Sequence, residues 1–140
     1  MTASWLLPST FILDTEDEAE AHRILDTVLA PARLKRFNSH WQLYPKLGGH
    51  SRLITTLEIP APACDADTPS AFKTLCALFV SRQHAPSLDL TTEQEADGAW
   101  RCEAVFDARA TPLLIPGLLW VHLELETRSA IQADLGKAMI

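Results

Sequence analysis

The sequence predicts an α+β fold: a two-layer sandwich in which a mainly antiparallel sheet carries two helices on one face. Three observations predict it. Stretches with period-two apolar alternation recur and are joined by short, turn-rich connections. Two segments with helical spacing interrupt them. The resulting order is β-α-β-β-α-β-β-β, whose first six elements follow a ferredoxin-like order. The 140 residues, 47% of them hydrophobic, suit one domain spanning 1–140 with a sizeable core.

Trp5–Leu13 is apolar around Pro8, and Phe11-Ile12-Leu13 reads as a short edge strand because proline is confined to sheet edges. A helix follows. Thr15 with Glu18 has the form of a capping box, and Asp14, Glu16, Asp17, Glu18 and Glu20 crowd the end that favours negative charge. Ala21, Ile24, Leu25, Val28 and Leu29 form its apolar stripe, and Pro31 stops it.

Asn38–Pro60 reads as a hairpin. Trp41 and Leu43 alternate with Gln42 and Tyr44, and Leu53, Thr55, Leu57 and Ile59 alternate with Ile54, Thr56 and Glu58. Gly48-Gly49 supplies the turn; without further glycine spacing or a following helix it is no phosphate loop. Thr68-Pro69 opens the second helix, with Thr68 as cap and Phe72, Leu75, Cys76, Leu78 and Phe79 on its buried face. A second hairpin turns at Glu95-Ala96-Asp97-Gly98. Its return strand places Trp100, Cys102, Ala104 and Phe106 opposite Arg101, Glu103, Val105 and Asp107. Pro116-Gly117 then precedes the most strand-like run, Leu118–Glu126. Leu119, Val121, Leu123 and Leu125 share one face of it; Leu118, Trp120, His122, Glu124 and Glu126 share the other. Ser129–Lys137 has the pattern of a short terminal helix.

Composition narrows function. The formal net charge is −6, with 12 Lys+Arg against 18 Asp+Glu. The acidity is spread evenly along the chain, which argues against nucleic acid and suits a basic protein partner. Cys64, Cys76 and Cys102 are odd in number and lack C-x-x-C spacing, so neither a disulfide scaffold nor a structural zinc site is expected. No signal peptide and no apolar run of membrane-spanning length occur, and the expected location is cytoplasmic. His22, His40, His50, His84 and His122 form no metal motif, and no cofactor is expected.

These observations favour a non-catalytic protein-binding module. By analogy of class, it is a small acidic inhibitor of the immunity type, which neutralises a basic partner such as a bacterial toxin. The candidate contact residues are Trp120, His122, Glu124, Glu126, Glu103, Asp107 and Tyr44. One alternative is a small enzyme or ligand-binding domain with a pocket around His122 and Glu124, where a carboxylate orients an imidazole base. Another is a homodimeric accessory domain that pairs its sheet faces through Trp120.

Overall fold

A computed structural model describes residues 4–44, 48–60, 67–80, 89–109, 113 and 115–127. The elements are β1 (Ser4–Leu13), α1 (Glu18–Leu29), β2 (Lys35–Leu43), β3 (Ser51–Pro60), α2 (Thr68–Cys76), β4 (Asp89–Gln94), β5 (Trp100–Asp107) and β6 (Leu118–Glu126). The fold is α+β, with two helices and one six-stranded antiparallel sheet in the order β2-β3-β1-β6-β5-β4. The expected terminal helix over Ser129–Lys137 lies outside the described residues, as do Cys64 and His84.

That strand order corrects the ferredoxin-like expectation. The first half, β2-β3-β1, is the split unit in which β3 lies between β1 and β2. A ferredoxin-like sheet would then set β4 beside β1. Here β4 is the far edge, and the β4-β5-β6 meander walks back until β6 pairs with β1.

One face of the sheet and both helices share a single core. Trp5, Leu7, Phe11 and Leu13 of β1 meet Leu53, Leu57 and Ile59 of β3, Val121, Leu123 and Leu125 of β6, and Cys102, Ala104 and Phe106 of β5. The whole expected stripe of α1, from Ala21 to Leu29, is buried there. Phe72, Leu75 and Cys76 of α2 are buried too, and the face continues beyond the helix end through Phe79. Phe79 is sandwiched between Phe11 and Phe106, with ring centroids 5.9 and 6.3 Å away. Ser51 and Thr55 are the buried polar residues on the inward face of β3, and Thr55 lies in the interior of the strand. A bulge in β2 between Phe37 and His40 answers it: the Thr55 hydroxyl meets Ser39 Oγ at 2.8 Å and donates to the Phe37 carbonyl.

Four local expectations are corrected. The N-cap of α1 is Asp17, whose carboxylate accepts from the Ala19 N–H; Thr15 sits two residues earlier and accepts from the Asp17 N–H. The α2 cap is Asp67, and Thr68 is inside the helix and buried. Leu43 ends β2 more than half exposed, outside the apolar stripe. In β6 the parity fails at the start. Leu13 pairs with Leu118 while Ile12 pairs with Trp120, so Leu119 is an extra residue. Leu118 therefore turns into the core, and Leu119 joins Trp120 on the other face. Gly117, at φ +91°, makes the entry to this bulge possible.

The largest correction concerns β1. It is ten residues long and central, with β3 paired along its whole length. Its ladder to β6 runs only over Ser9–Leu13 and stops immediately after Pro8. Pro8 has no N–H, and it lies in the half of β1 that has a ladder neighbour on one side only, as the edge rule requires. Beyond Pro8 the sheet divides. Ser4–Pro8 stays with β3, and Glu124–Glu126 stays with β5.

Candidate functional site

The face of the sheet turned away from α1 and α2 can be written as four rows across the strands. His40, Ile54, Thr10, His122 and Val105 form one; Gln42, Arg52, Ile12, Trp120 and Asp107 form the next. These two are continuous. The other two are interrupted by the split. Phe37, Thr56 and Pro8 look across it to Glu124, Glu103 and Thr91. Lys35, Glu58 and Leu6 look across it to Glu126, Arg101 and Glu93.

Two cavities follow from this geometry. The split opens a cleft of about 540 Å³, walled by Leu6, Pro8, Phe37 and Thr56 on one side and Arg101, Glu103, Glu124 and Glu126 on the other. A second hollow of about 800 Å³ lies over the continuous rows, lined by Ile12, Tyr44, Arg52, Leu119 and Trp120 among others. The row between them carries His122. Its Nε2 lies 3.1 Å from Glu103 Oε1 and 3.5 Å from Glu124 Oε1. Its side chain is 22% exposed, against 53% for each carboxylate. Trp120 stacks on the imidazole, with centroids 5.9 Å apart and planes at 30°. At the rim of the second hollow, Arg109 donates to Asp107 through Nε and Nη2 and holds that carboxyl below the usual carboxylate range. His50 Nδ1 lies 3.2 Å from Asp14 Oδ1 at the opposite rim.

No family model, curated protein or solved structure matches the chain.

All seven residues singled out from the sequence come together on this face. Glu103, Glu124 and Glu126 wall the cleft, His122 lies in the row between the two cavities, and Tyr44, Asp107 and Trp120 line the second hollow. Sequence reasoning missed Leu6 and Pro8, which form the facing wall, and Arg52, Arg109 and His50 at the rim. The proline was the available signal: in a strand of continuous apolar character it marks where pairing on one side must end. The carboxylates of Glu103 and Glu124 converge on the same imidazole nitrogen, Nε2 of His122.

Among the described residues no helix is long and apolar enough to cross a membrane.

Proposed function

We propose that the chain is a non-catalytic protein-binding module whose open sheet face receives a basic segment of a partner, in the manner of an immunity protein neutralising a toxin. The observation that carries this reading is the split beside Pro8, rimmed on one side by Glu103, Glu124 and Glu126, three carboxylates against the one cation Arg101. Strands that part company leave backbone edges able to pair with an incoming extended segment. Carboxylates on one wall favour cationic side chains, and the net charge of −6 steers such a partner towards the molecule. Trp120, half-buried in the adjoining hollow with Leu119 and Ile12, supplies the aromatic anchor that central interface contacts favour.

The test is native mass spectrometry of tagged protein purified from its own cells at low salt, run beside a Glu124→Lys/Glu126→Lys variant. The proposal expects a stoichiometric second protein on the wild type and its loss from the variant. A bare monomer, a dimer of this chain alone, or equal retention by the variant would overturn it.

A further inference from the structure

We propose that Glu103, His122 and Glu124 together form a site for one divalent transition-metal ion of the Zn²⁺ or Co²⁺ class. The site stands whether or not the face also receives a protein.

The donors come from two adjacent strands. His122 and Glu124 are two residues apart on β6 and therefore share its outer face. Glu103 of β5 is the direct register partner of Glu124. Their donor atoms all lie within 4.8 Å of one another. Zinc–nitrogen and zinc–oxygen bonds of about 2.0–2.1 Å at tetrahedral angles place ligand atoms about 3.3–3.4 Å apart. The two separations from His122 Nε2, 3.1 and 3.5 Å, bracket that value. Rotation of the exposed Glu carboxylates closes the third edge.

Three further features distinguish this site from an ordinary acidic patch. First, an imidazole stands at its centre, half-buried and held by the Trp120 ring, so the nitrogen donor is already positioned. Second, Glu103 and Glu124 are like charges directly opposed across two strands, a pairing that destabilises a sheet and that a divalent cation reverses. Third, the donor set selects the ion. One nitrogen and two carboxylates suit borderline divalent ions, lack the thiolates that soft ions demand, and supply too few oxygens for calcium. The ion takes the place of the hydrogen between Nε2 and Glu103; in a neutral ring that hydrogen moves to Nδ1, and in an imidazolium it passes to solvent, so the ring binds the ion in its neutral form either way. Three protein donors leave a fourth position for water or for a donor from outside the chain.

The test is calorimetric titration of chelator-stripped, reduced full-length protein with Zn²⁺ and separately with Co²⁺. Histidine ring-nitrogen NMR and thermal unfolding are followed alongside. One equivalent should bind, with the His122 Nε2 resonance perturbed and the other four histidines unaffected. The midpoint of thermal unfolding should rise with metal. His122→Ala and Glu103→Gln should each weaken binding by at least ~tenfold and abolish the thermal shift. Glu103→Gln changes only an exposed side chain, so it reports on binding even if the histidine variant folds poorly. Absence of saturable binding, binding undiminished in Glu103→Gln, or a Co²⁺–thiolate absorption band showing cysteine ligation would overturn the proposal.

Discussion

Burial pushes the Cys76 thiol up to about 12, with the neighbouring Cys102 adding to the shift, and pushes Cys102 itself up to about 11. In the unfolded chain both ionise near the ordinary value of about 9. Between these values the folded state holds more protons than the unfolded one. Their contribution to stability is therefore complete below pH 9 and lost as pH rises through 11 and 12. The urea midpoint should fall from pH 8 to pH 10.5, and less steeply in a Cys76→Ala/Cys102→Ala variant (roughly the same slope in both would contradict this). Parity alone put Trp120, His122, Glu124 and Glu126 on one face, because alternation needs only local sequence. It failed at Leu118 and Leu119, where a bulge inserts one residue; Pro116-Gly117 signals a turn or bulge there without saying which residue is the extra one. The metal-site donors were invisible as a motif for a related reason. Glu103 joins His122 and Glu124 through strand register, and register is a property of pairing rather than of spacing.

At the scale of elements, the helices were the most legible parts, because each stripe has to match the core it covers. Every expected α1 stripe residue is buried. The caps were read one position or more away, since Thr15, Asp17, Asp67 and Thr68 all carry capping side chains and only the backbone decides among them. The structure makes a distinction that can be measured. Asp17→Ala removes the cap to the Ala19 N–H and should cost about 1 kcal/mol in chemical denaturation. Thr15→Ala removes only a contact preceding the helix and should cost less than half of that. The reverse ranking would restore Thr15 as the cap. Among the strands, β1 was shortened and sent to the edge because Pro8 was read as governing the whole strand. Its effect is confined to one side of one half.

At the scale of the molecule, the class of fold was legible and the strand order was not. Local alternation says that a strand has two faces; it does not say which neighbour it takes. The choice of β6 instead of β4 as the partner of β1 brings the Trp120–Glu126 run to the centre of the sheet. The same choice gives Pro8 a facing wall of carboxylates, since Glu124 and Glu126 stand where the ladder would otherwise continue. Placement of the acidic side chains on one open, divided face is thus a product of topology, and it is the feature on which the proposed binding function rests. The most direct test is the association rate of the co-purified partner as a function of ionic strength, for the wild type and for Glu124→Lys/Glu126→Lys. The account predicts a wild-type rate that falls steeply with salt, and a variant rate at least ~tenfold lower at low salt with a flatter dependence. Equal rates and equal salt slopes for the two proteins would contradict it.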